Sequence, residues 1–167
     1  MVKKARTRNV SKTEAKIYLD KGEQFLRTMR EAVKNEDWDA AGLNAIHAAI
    51  SANDALLGMR HGIRPSSPNH GDAAVLLSQH EKSEDAKKNA NRLDRMIRKK
   101  NLVEYEGRKL AKSEATGLAT DAERFFAWVN NIGSSPRSVG RSVIMVSYLW
   151  ATLWGQTSKI ASPVCDD

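Results

Sequence analysis

Cysteine is nearly absent from this sequence: Cys165 is the single thiol in 167 residues, so no internal disulfide can form and nothing points to an oxidising compartment. A zinc site would have to be built from histidines and carboxylates, and His47, His61, His70 and His80 do not share a helical face at ligand spacing. Neither a metal nor any other cofactor is expected. Glycine-rich phosphate loops of the GxxxxGKS/T and GxGxxG types are missing, as is HExxH, which removes the signatures of P-loop, dinucleotide-binding and zincin chemistry. Aromatic residues make up only 6% of the chain, and beside its densest basic stretch only Tyr105 is close by, so aromatic interleaving for base stacking is poor there. No apolar run approaches the ~20 residues of a membrane span. The longest, Val143 to Trp154, is twelve residues broken by Ser147 and Thr152. The basic start, Met1 to Arg8, has no apolar stretch behind it of the kind a secretory signal carries, so a cytoplasmic protein is expected.

What the sequence does have is positive charge. Lysine and arginine number 27 against 20 aspartates and glutamates, a balance of +7. Such an excess permits a nucleic-acid partner, because each neutralised phosphate releases counterions, but it is also an ordinary route to solubility. The charge is unevenly spread. Lys3, Lys4, Arg6 and Arg8 crowd the first ten residues without an acid among them, and residues 81–112 hold eleven positive against six negative side chains. Residues 1–11 accordingly read as a flexible basic arm. Its removal is expected to weaken nucleic-acid binding and leave melting unchanged.

Periodicity predicts helices after that. Ser11-Lys12-Thr13-Glu14 has the form of a capping box, and Ile17, Tyr18, Phe25, Leu26, Met29, Ala32 and Val33 recur at helical spacing over about residues 12–34. Asn35-Glu36-Asp37 supplies acceptors for a second helix over roughly 37–60, whose face of Ala40, Ala41, Gly42, Ala45, Ala48, Ala49 and Ala52 allows close approach and places it at the bundle centre. On its buried stripe Asn53 needs a hydrogen-bond partner, and Asp54 is polar among apolar neighbours. His47 is expected to hydrogen-bond across a helix interface. The stretch from Gly62 to Gly71, with Pro65 and Pro68, cannot be regular helix. Two turns over Ala73–Gln79, a charged helix capped by Ser83, and an amphipathic helix from an N-cap at Ser113 to Gly133 complete the set, with no alternating strand pattern before residue 140. The expected fold is all-α, an antiparallel four- to five-helix bundle over residues 12–133. A linker follows at 134–142, then an apolar C-terminal appendage at 143–167, which either packs on the bundle, pairs with a second subunit or meets a membrane surface. Helix and strand cannot be told apart there.

Chemistry is sparse. Arg92, Arg95 and Lys99 follow i, i+3, i+7 spacing, so with Arg98 and Asn101 they form a basic ridge suited to a phosphate backbone or to a plain solvated face.

The order of these features resembles the HEPN superfamily of helical domains. The resemblance is carried by the first amphipathic helix, by Trp38-Asp39-Ala40-Ala41 leading into Asn44 to Leu57 with Ala45-Ile46-His47-Ala48-Ala49, by the segment Arg98 to Gly107, and by the helix ending near Val129, over residues 12–132 in all. It implies a homodimer that binds or cuts RNA in a prokaryotic toxin–antitoxin or defence setting, beside an antitoxin or a nucleotidyltransferase partner. In that family an arginine and a histidine four to six residues downstream cleave RNA without metal, the imidazole moving protons and the guanidinium stabilising phosphorane charge. Here the matching segment has no histidine. Lys100 and Tyr105 keep a four-residue gap, yet a phenol titrating near 10 is a poor replacement base. Arg64 and His70 have the right separation, in a proline-containing loop out of place relative to the helices. The expectation is therefore a HEPN-like module that binds RNA, a nucleotide or a partner protein without the usual catalytic histidine. The alternative is a metal-independent endoribonuclease using Lys100 and Tyr105, or Arg64 and His70.

Overall fold

In the computed structural model of this chain, residues 5–66, 70–100, 103 and 108–134 are described. They form strand β1 (Thr7–Asn9), helix α1 (Lys12–Lys34), helix α2 (Trp38–His61), strand β2 (Ile63–Pro65), helix α3 (Gly71–His80), helix α4 (Glu84–Arg98) and helix α5 (Lys112–Ser134). The all-α helical bundle is thus observed, with a two-stranded ribbon added.

Local chemistry sets the helix starts. At α1 the Ser11 hydroxyl accepts from the Glu14 N–H at 3.2 Å, while the Glu14 carboxylate accepts from the Ser11 N–H at 2.8 Å, the reciprocal bonds of a capping box. Ser83 caps α4 by accepting from the Ala86 N–H at 3.1 Å. Ser113 does not cap α5. The helix begins one residue earlier, and the side chain that reaches back to a free N–H is Glu114, which accepts from Ala111 at 3.1 Å. Arg108 grips the same carboxylate at 2.9 and 3.1 Å, and these two bonds hold the Glu114 pKa down at about 2.

Helix α2 lies at the centre, packed along its length against α1 and α5. Its alanines Ala45, Ala48, Ala49 and Ala52 are fully buried beside Ile46, Leu56 and Leu57. The small face works as expected: a Cβ on Gly22 of α1 would meet Phe126 at 2.9 Å and the α2 backbone at Ala48 and Ala52 at 3.4 Å. Near the other end, a Cβ on Gly58 would stand 2.8 Å from that of Ala15. Phe125, Met29, Leu76, Leu77, Leu93 and Met96 fill the remaining core. Asn53 is fully buried among them, and neither atom of its amide has a hydrogen-bond partner among the described residues.

The ends of α2 and the chain start are tied together. Gly62 adopts the left-handed conformation (φ 68°) that terminates α2, and its carbonyl accepts from the Val10 N–H at 2.9 Å. Beyond it Ile63, Arg64 and Pro65 pair antiparallel with Asn9, Arg8 and Thr7. The basic arm expected over residues 1–11 is therefore corrected from Ala5 onward. Ala5 and Val10 are buried, so apolar anchors on either side of Arg6-Thr7-Arg8-Asn9 hold this segment in a ribbon. Lys3 and Lys4 lie outside the described residues, as do the linker from residue 135 and the appendage at 143–167. Among the described residues no helix is long and apolar enough to cross a membrane.

Candidate functional site

Two polar clusters form where α2 ends. The first is built by the ribbon. Because β2 turns back along α2, Arg64 lies over the last turns of that helix, and its guanidinium meets the Asp54 carboxylate at 3.0 Å. The Asp54 side chain is only 5% exposed. Burial raises its pKa to about 6 against the opposing charges of Arg64 and, more weakly, Arg8, so the carboxylate is ionised and paired at neutral pH and loses its charge in mild acid. From α1, Tyr18 offers its ring and hydroxyl to the same arginine. The Arg64 guanidinium carbon stands 4.4 Å from the ring centroid and the Arg64 N–H donates to the phenol oxygen. Arg8 of β1 donates to that oxygen as well, at 2.8 Å, and the Lys21 ammonium lies 5.6 Å from the ring centroid.

The second cluster joins two helix ends. Arg60 and His61, in the last turn of α2, both reach the Glu81 carboxylate just beyond α3, at 2.7 and 2.8 Å. Arg60 also donates to the Ile132 carbonyl of α5 at 3.0 Å. His80, the last residue of α3, packs its ring 4.8 Å from that of His61. Burial first, then the neighbouring His61 charge, push the His80 pKa below the ordinary imidazole value, against the pull of Glu81. Both helices present their negative ends here, a setting that favours cations over phosphate. With Arg60 and Glu81 mostly covered, the cluster ties α2, α3 and α5 together.

The other singled-out residues are dispersed. Arg92 and Arg95 of α4 converge on Asp121 of α5 at 3.1 and 3.5 Å, and Arg92 also donates to Asn89. Arg98 pairs with Asp94 at 2.7 Å. Of the ridge read from spacing, the arginines Arg92, Arg95 and Arg98 are thus each matched to a carboxylate. Lys99 is the C-cap of α4, half-buried like Lys100 beside it, and His70 stands at the N-terminus of α3. Tyr105 and Asn101 lie outside the described residues. His47 stacks on Phe25 of α1, ring centroids 5.2 Å apart. Among the described residues no group of three or more histidine, cysteine or carboxylate side chains could hold a metal ion.

Tyr18 and Arg8 were not legible as site residues. Tyr18 counts as one more apolar position in the α1 stripe, and Arg8 as one of four arm charges. The one available signal was Asp54, a carboxylate on a stripe of alanine and leucine.

The family model of the HEPN domain matches residues 15–132 of the 167. The chain belongs to the HEPN family. A comparison with curated proteins gives no match. The matched span covers α1 to α5, so this HEPN domain is the helical bundle itself, while β1 precedes it and β2 lies within it. At the far end of the bundle, the turn between α1 and α2 and the approach to α5 form a groove of about 350 Å³ lined by Glu36, Asp37, Trp38, Asp39, Lys109 and Leu110. Three carboxylates make it a poor seat for a polyanion. Lys112 lies over the Trp38 ring there, 5.3 Å from its centroid, whereas the ribbon end places three basic side chains, Arg8, Lys21 and Arg64, around Tyr18.

Proposed function

We propose that this HEPN domain binds RNA without cutting it, as a homodimer in a prokaryotic toxin–antitoxin or defence setting. HEPN membership supports an RNA-directed role, and the +7 charge supports a polyanionic partner. The observation that carries the absence of cleavage is that the segment Arg98 to Gly107, where the family's arginine and histidine pair is expected, holds no histidine to move protons. Arg64, the arginine of the other pair at family spacing, is anchored by the Asp54 carboxylate at 3.0 Å and by the Tyr18 ring. A protein partner, either an antitoxin or a nucleotidyltransferase, belongs to the same proposal.

Incubating the purified chain with total RNA in the presence of EDTA tests the reading. The expected outcome is intact RNA that migrates as a salt-sensitive complex. Metal-independent cleavage that disappears in His70→Ala or Tyr105→Phe overturns it and establishes the nuclease alternative.

A further inference from the structure

Two guanidinium groups of this molecule end on one hydroxyl oxygen. Arg8 of β1 and Arg64 of β2 both donate to the Tyr18 hydroxyl, and the strand register places the two arginines directly opposite each other. Like charges brought this close repel unless an anion lies between or beside them. Lys21 adds a third cation over the ring of the same tyrosine. Two carboxylates face the group. Asp54 is spent on Arg64, and Glu14, which feels both arginines, is engaged by the Ser11 N–H and hydroxyl of the α1 cap. Arg8 is exposed, and it has several N–H donors beyond the one given to Tyr18. The Arg64 Nε is buried and has no partner among the described residues.

We propose that Arg8, Arg64 and the Tyr18 hydroxyl form a seat for a phosphate group. A phosphate oxygen accepts from the fork of Arg8 while the Tyr18 hydroxyl turns its proton towards the anion, and Arg64, anchored by Asp54, supplies the second positive charge. The site is prearranged: the ribbon fixes Arg8 against Arg64, and Asp54 fixes Arg64 against the helix. Because Arg64 lies on the Tyr18 ring, that face is taken, so the seat reads phosphate and not a stacked base. The phosphate can come from within an RNA strand or from a terminal monoester. In its first form this deepens the RNA-binding reading; in the second it stands without it.

Titration of the full-length chain with inorganic phosphate, with a 5′-hydroxyl oligoribonucleotide and with its 5′-phosphorylated twin tests the seat and separates the sources. Arg8→Ala is the principal variant, since Arg8 is exposed and its loss leaves the Asp54–Arg64 pair intact. It should weaken the binding of at least one probe tenfold or more. Arg124→Ala, which removes an exposed charge on α5, should change each affinity by less than twofold. Asp54→Asn keeps the shape but frees the charge of Arg64, and should tighten the same probe. Tighter binding of the 5′-phosphorylated strand assigns a terminal phosphate; equal binding of both strands, lost together in Arg8→Ala, assigns the backbone. Probes that bind the Arg8→Ala protein as well as the unaltered one overturn the seat and leave RNA binding standing. Inorganic phosphate that binds through Arg8, beside strands that do not bind, overturns RNA binding and leaves the seat standing. If no probe binds, both fall.

Discussion

Asp54 is the residue on which the ribbon end turns. Its pKa is raised from 3.8 to about 6, so the folded state holds a proton that the unfolded state has already released between those values. The sign follows: the contribution of Asp54 to stability is full below about pH 4 and is lost as pH rises through 6. In Asp54→Asn that dependence is removed. Chemical denaturation of the two proteins at pH 4, 5, 6 and 7 should show the stability difference shifting in favour of the variant across this window by about 3 kcal/mol, two pKa units and a fraction at 1.36 kcal/mol each. A difference that stays constant with pH would mean that Arg64 fully offsets the burial of the carboxylate. His80 works in the opposite direction, because its folded pKa lies below the ordinary imidazole value of 6.5. Neutral His80 contributes stability above that pH, lost as pH falls through its folded pKa, so His80→Gln should flatten the acid side of the profile below pH 6.5.

At the scale of elements, the small face of α2 makes a prediction of its own. Gly58→Val would place a side chain where a Cβ already stands 2.8 Å from Ala15 and 3.3 Å from Val10, both buried and both positioned by the start of α1. Overpacking of this kind costs about 1–3 kcal/mol, which a melting experiment reads as a fall of several degrees, whereas Gly117→Ala, with nothing within 4 Å of its Cβ, should raise the melting temperature. The ribbon makes another. Deleting residues 2–10 removes Ala5 and Val10 from the buried set and breaks the β1–β2 pairing. Melting should fall by about 5 °C, from the ~2 kcal/mol lost with one buried valine. The expectation that melting would not change treated these residues as charge alone. Helices were legible because each carries its own apolar stripe and several carry their own caps, as Ser11–Glu14 and Ser83 do. The ribbon was not, since three residues of strand have no period to read, and the partner of β1 lies more than fifty residues away. The same separation hid the site. Arg8, Tyr18, Asp54 and Arg64 come from four elements, and only the antiparallel register brings the two arginines to one hydroxyl.

For the molecule as a whole, the redistribution of charge matters more than its total. The densest basic stretch in the sequence, on α4, is tempered by Asp94 and Asp121, and its lysines Lys87 and Lys88 face Glu84 and Asp85 one turn away. Paired cations release fewer counterions on binding a polyanion, so the ribbon end should dominate the salt dependence. In gel shifts at graded salt, Arg8→Ala should reduce the slope of log affinity against log salt by about 1, and Arg95→Ala by less. Light scattering should give twice the 18.5 kDa chain mass if the proposed homodimer forms. The central claim, binding without cutting, is tested most directly by the RNA recovered from the complex. RNA of defined length, held with the protein in EDTA and then extracted from the shifted band, should be full length with its original ends. Shortened RNA carrying new ends, at a yield that grows with time, would contradict the account.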